Sequence, residues 1–235
     1  MFSLTRVLIR HHRQLAVLGS LLFATAVCVT LFLLRAARTS GFTHHGLMWN
    51  LFLAWVPMVC ALAAYNLAQR AARWRWLALG VCVPLWLVFF PNAPYMVTDI
   101  THLRPLDNVP LWYDLIFIIA CAWTSFFLGL VSLYLMQGLV RRAWGTLAGW
   151  LFTLGVVALC GVGVYLGRFL RWNSWDVFFN PAQVLADVVE PLFHPLAHFS
   201  ALAFSGVFSV FFISVYLMLF ALTHFQKESY GPIRD

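Results

Sequence analysis

The chain has 235 residues, 63% of them hydrophobic and 10% charged, with a mean hydropathy of +0.85 and a formal net charge of +7. A soluble domain carries about 25% charged residues, so this composition excludes a soluble fold. The bases sit in the segments between apolar blocks rather than in one patch, which leaves nucleic-acid binding without support.

Long apolar blocks fall at roughly 14–34, 47–69, 74–97, 112–136, 143–167 and 199–225, each near the length of about 20 residues that a bilayer crossing needs. They predict an all-α integral membrane fold: six transmembrane helices in one bundle, forming a single domain over the whole chain. With the amino terminus inside, the inner segments hold Arg6, Arg10, Arg13, Arg70, Arg73, Arg75, Arg141, Arg142, Lys227 and Arg234. The outer segments hold Arg35, Arg38, Arg104, Arg168 and Arg171. That bias predicts that both termini lie in the cytoplasm.

The first block follows Arg10-His11-His12-Arg13 and is too long for a signal peptide, with no A-x-A site after it, so it reads as a retained helix. The five cysteines (Cys28, Cys60, Cys82, Cys121, Cys160) all lie within predicted spans without metal-ligand spacing, and read as small apolar filler. Tryptophans near span ends, among them Trp49, Trp112, Trp172 and Trp175, fit interfacial belts.

The third block ends in FFPNAPYMVTDITHLRP. Pro91 and Pro94 each remove a backbone donor and clash with the preceding turn, so the helix is expected to break at Phe90–Ala93, with Asn92 capping freed backbone groups. If helix resumes, Asp99 and His102 share a face at i and i+3. Such a pair serves as acid and base, or as two metal ligands; the alternative is a plain helix cap at headgroup level.

In the fourth block Ser125, Gly129 and Ser132 form one narrow face of small residues. In the fifth, Gly145/Gly149 and Gly163/Gly167 have the small-xxx-small spacing that lets membrane helices approach closely. YLGRFLRWNSWD follows, with Arg168 and Arg171 at i and i+3 as fork-shaped donors for phosphate or carboxylate. Asn173, Ser174 and Asp176 suggest a cap-like turn, and headgroup anchoring or a salt bridge from the arginines to Asp99, Asp114 or Asp176 is the bland alternative. The segment 168–198 is long for a connection and should contain a short interfacial helix from Pro181 to Val189. His194 and His198 have an H-x3-H spacing but no H-E-x-x-H signature, which makes them weak metal candidates.

The runs WNLFLAWVP, FFPNAPYMVTDITHL, WYDL and YLGRFLRWNSWD together resemble the bacterial multi-pass membrane proteins grouped as domain of unknown function 1361. The resemblance spans the second to the sixth helix. It implies a six-span inner-membrane protein with polar motifs gathered on one face, and it brings no established activity. Asn92, Tyr95, Asp99, His102, Asp114, Arg168, Arg171, Asn173 and Asp176 match its motif letters, whereas His194 and His198 do not.

These features point to an outer-face polar pocket and to an enzyme acting on a lipid-linked or envelope substrate with an anionic group. Asp99 and His102 would be the acid/base pair, with Asp114 or Asp176 orienting a partner. Arg168 and Arg171 would hold the anion, with Asn92, Tyr95 and Asn173 beside it. A small-solute or lipid transporter and a non-catalytic assembly scaffold are the alternatives. The bilayer is the one partner implied directly, and cofactors and protein partners stay unassigned.

Overall fold

The computed structural model describes residues 2–39, 44–69, 75–103 and 109–229, with side chains for 14–39, 44–69, 76–101, 103 and 109–224. It is helical among the described residues. In chain order the α-helices are α1 (Phe2–Arg38), α2 (His45–Leu67), α3 (Arg75–Phe89), the short α4 (Asn92–Tyr95), α5 (Leu111–Tyr165), α6 (Asp176–Phe179), α7 (Pro181–Phe193) and α8 (Phe199–Ser229). A 3-10 segment, Met96–His102, continues α4, and a π-helical turn, Leu166–Leu170, ends α5.

Five stretches are long and apolar enough to cross a membrane: Gln14–Arg38, His45–Leu67, Trp76–Thr101, Leu111–Leu170 and Phe199–His224. This is a membrane protein. The fourth stretch has 60 residues, about 90 Å if straight and three bilayer cores long, and it is not straight. Gly145 interrupts it at φ 89°, ψ 175°, a region open essentially to glycine alone.

Two side chains show what the interruption does. The Trp86 indole donates to Ser132 Oγ (3.3 Å) and stacks on Phe152 at 5.8 Å. The Tyr216 hydroxyl donates to Gln137 Oε1 (2.7 Å) while its ring meets Trp150 edge-on. Residues 132 and 152 would lie about 30 Å apart in one continuous helix, so the chain turns back at Gly145 and the two halves of α5 run side by side. The expectation that Gly145 and Gly149 pair as a packing face is corrected here. Gly145 faces nothing within 4 Å and serves the reversal through its positive φ, while Gly149 lies under the stem of Arg141.

The narrow face of small residues seats the end of the third apolar block. Ser125 Oγ donates to the Ala93 carbonyl (2.6 Å), Gly129 approaches Ala93 Cβ, and Ser132 receives Trp86. From the other half of α5, Gly163 admits Pro91 so closely that a Cβ there would overlap the proline ring. The core around this junction is aromatic, with Trp86, Phe90, Phe126, Phe212 and Tyr216 all buried.

Polar contacts tie α1 to the bundle. Trp55 Nε1 donates to Thr25 Oγ1 (3.1 Å), the Tyr113 hydroxyl donates to the Leu31 carbonyl (2.7 Å), and Arg35 pairs with Asp114. Such bonds hold helices together where lipid removes the hydrophobic drive for association. The helix expected from Pro181 is present as α7. It starts at Pro181, where a missing N–H costs nothing, and runs through Pro191 to Phe193, beyond Val189. It buries Val184 and Pro191 and exposes Leu185, Leu192 and Phe193.

Candidate functional site

After α3 ends at Phe89, Phe90 and Pro91 form a turn and Asn92 opens α4. The Asn92 amide donates to the Phe89 carbonyl (3.0 Å), whose helical partner, the Ala93 N–H, turns instead to the Phe90 carbonyl, and to Ser174 Oγ (2.7 Å). One side chain therefore locks the interrupted backbone to the segment that follows α5. That segment turns sharply: Arg171 is in the left-handed region at φ 62°, and the Trp172 N–H reaches back to the Leu166 carbonyl. A non-glycine residue there is uncommon and marks a position that its surroundings hold in place. Asp176 accepts from the Asn173 backbone N–H (2.7 Å), and Trp172 Nε1 donates to Asp187 of α7 (2.7 Å), fixing the loop.

Between these pieces and the start of α2 lies a cavity of about 560 Å³. Pro91, Asn92 and Gly163 line one side, and Tyr95 packs against Gly167. Trp49, Trp172 and Trp175 contribute indoles, with Trp49 and Trp175 in edge contact at 6.5 Å. Asn50, Asn173 and Ser174 add hydrogen-bonding groups, and Arg168 and Arg171 supply the charge. A smaller cavity of about 310 Å³ adjoins it, sharing Asn50 and Tyr95 and lined also by Asp99 and His44.

The two arginines differ. Arg168 donates to Asp99 Oδ1 (3.2 Å) and to Thr101 Oγ1, and Asn50 donates to the other Asp99 oxygen at 3.4 Å. Arg168 and Asp99 are largely buried, at 16% and 8% exposure. Arg171 is exposed at the cavity and makes no ion pair among the described residues.

The residues singled out in sequence are brought together only in part. Asn92, Tyr95, Arg168, Arg171 and Asn173 line the cavity, with Asp99 behind Arg168. His102 lies in the 3-10 segment, three residues beyond Asp99, but its side chain falls outside the described residues. Asp176 supports the loop. Asp114 is elsewhere: it is 1% exposed and bound two-pronged to Arg35. His198 is 3.7 Å from Glu190, His194 ends α7, and no group of three metal-ligating side chains occurs among the described residues.

Residues 49–220 match the model of the family described as protein of unknown function DUF1361. The chain belongs to that family. No curated protein and no solved structure matches it. In this DUF1361 member three of the four motif blocks line the cavity: Trp49 and Asn50 come from the first, Asn92 and Tyr95 from the second, and Arg168 and Arg171 to Trp175 from the last. Trp49, Trp172 and Trp175, which fit interfacial belts by position, turn towards the cavity. Asn50 had no signal beyond its place in the first block, and Arg35 none beyond being a charge at the end of an apolar run.

Proposed function

We propose that the chain crosses a bacterial inner membrane six times, with both termini in the cytoplasm. In this reading the two halves of α5 are separate crossings, and α3 with α4 is a third crossing interrupted at its outer end. The reversal at Gly145 and the distribution of bases support it. The cavity then opens at the outer face. It binds the anionic group of a lipid-linked or envelope substrate, and the protein acts on that substrate there.

Arg171 is the observation that carries this reading. Asp99 balances the charge of Arg168, so the cavity retains one guanidinium among indoles and neutral donors, and an anion completes it. The indoles suit the apolar or ring portion of an amphiphilic molecule, as tryptophan does where one end of a site is apolar and the other wet. Asp99 orients Arg168 and, with His102, supplies the proton-transfer groups.

Mass spectrometry of lipids and envelope metabolites tests this in a strain lacking the protein, complemented with wild type or an equally expressed Arg171→Gln variant. The expected result is a species that accumulates in the deletion strain and is cleared by wild type alone. Full clearance by the variant, or no altered species, would sink the proposal.

A second reading, a scaffold without chemistry, draws on how the motif side chains bond to one another: Asn92 to Ser174, Asp99 to Arg168, Asn173 to Asp176. It predicts no metabolite change in the deletion strain and loss of a protein complex instead.

A further inference from the structure

At the other end of the bundle the helices enclose a second cavity, of about 440 Å³. Tyr65 at the end of α2 lies there, some 15 residues and therefore roughly 23 Å along the helix from the first cavity's Asn50. Its walls come from both sides of the Gly145 reversal and from the end of α8: Gln137, Arg141 and Arg142 before the turn, Thr146 after it, and His224.

The charged and polar groups here are held in position. Arg141 lies across Gly149, where a Cβ would overlap its stem, with its guanidinium over the Phe220 ring at 5.7 Å. Arg142 donates to the Tyr65 hydroxyl (3.1 Å) and sits over the same ring. His224 stacks on Phe220 and bonds the Phe220 carbonyl through Nδ1, which leaves Nε2 as its second polar atom. Among the described residues neither arginine pairs with a carboxylate and no acid lines the cavity.

The decisive group is Gln137. Its side chain is 1% exposed, its oxygen accepts from Tyr216, and its amide Nε2 has no hydrogen-bond partner. A buried donor without an acceptor is costly, typically about 1–3 kcal/mol, and its persistence in a native structure calls for a ligand. Two guanidinium groups and an unpartnered amide donor around one cavity, with no acid among its described lining residues, ask for an oxygen-rich anion. Basic pockets between membrane helices recognise lipid phosphates by this same chemistry.

We propose that this cavity is a second anion site, taking a phosphate group through Arg141, Arg142 and the Gln137 amide. The phosphate belongs to a phospholipid headgroup or to a soluble phosphorylated molecule. The inference is independent of what the first cavity binds.

The test uses the full chain purified in a nonionic detergent, with phosphatidylglycerol, phosphatidylcholine and inorganic phosphate as probes in native mass spectrometry and titration. Wild type should retain phosphatidylglycerol or bind inorganic phosphate. Arg141→Gln/Arg142→Gln should weaken that binding by at least about tenfold, the scale of a charge-assisted hydrogen bond, and Gln137→Leu by several fold. The same comparison is made in the Arg171→Gln background, which removes anion uptake by the first cavity, and the loss on changing Arg141 and Arg142 should persist there. Retained lipid that millimolar phosphate does not displace assigns the site to a headgroup; displacement assigns it to a soluble phosphate. If the double variant fails to fold, Arg142→Gln alone serves, because Arg142 is exposed. Equal binding by wild type and folded arginine variants overturns the proposal, as does wild type that takes up neither probe.

Discussion

Gly163 and Pro91 meet so closely that no side chain fits between them. The second half of α5 thereby presses on the point where the third apolar block loses its helix, and the cavity wall is built at that contact. Gly163→Ala should destabilise the protein by about 1–3 kcal/mol, the usual cost of overpacking. Gly155→Ala, on the same half-helix with nothing within 4 Å, should be neutral or mildly stabilising. Thermal unfolding in detergent, followed by helical circular dichroism, compares the two. Equal melting temperatures would refute the contact.

The turn at Gly145 makes a topological prediction. A single cysteine at Trp144, which is 75% exposed, should react with an impermeant maleimide from the side that holds the amino terminus. Protection from both sides would mean that residue 144 lies within the bilayer, and the six-crossing reading would fall. Gly145→Ala should cost about 1–3 kcal/mol, since its φ and ψ exclude a Cβ.

Arg35 and Asp114 form a more buried pair than Arg168 and Asp99, with N–O distances of 2.7 and 3.0 Å. Asp114→Ala should destabilise the fold by about 3–5 kcal/mol by stranding a buried guanidinium. The double change Arg35→Met/Asp114→Leu should recover most of that loss. A double variant no better than the single one would show that the pair is not the cause.

Asp99 and Arg168 should couple in a double-mutant cycle by about 1–3 kcal/mol, whereas Asp99 and Arg35 should add independently. Arg171→Gln should leave the melting temperature within the small range of surface changes. A large loss of stability in Arg171→Gln would mark it as a structural residue and weaken the anion-site reading.

How far these features could be read in advance depended on whether their cause is local. Pro91 and Pro94 act on their own backbone, so a local disturbance was readable there, and the turn at Phe90 and Pro91 and the Asn92 bond to the Phe89 carbonyl fall at that place. The small face of Ser125, Gly129 and Ser132 was visible as a periodicity, but what it receives was not, because that depends on how α3 is rotated. Gly145 was misread because small-xxx-small spacing and a glycine turn share the same letters, and only a backbone angle separates them. A salt bridge from Arg168 or Arg171 to Asp99, Asp114 or Asp176 was among the readings, yet that Arg168 takes Asp99 and leaves Arg171 as the cavity's remaining guanidinium required coordinates. Arg35 and Asp114 are 79 positions apart, and no spacing rule spans that distance.

That separation also has a meaning in time. At synthesis rates of about 5–20 residues per second, Asp114 leaves the ribosome roughly 4–16 s after Arg35. During that interval the first helix must enter the bilayer with a cation at its end whose carboxylate does not yet exist. Headgroup phosphates at the membrane surface are the anions within reach, so α1 should first rest at the interface through Arg35 and settle to its final depth once Asp114 has been made. The ion pair can therefore close only after α1 has met the membrane, because its two halves stand 79 positions apart in the chain.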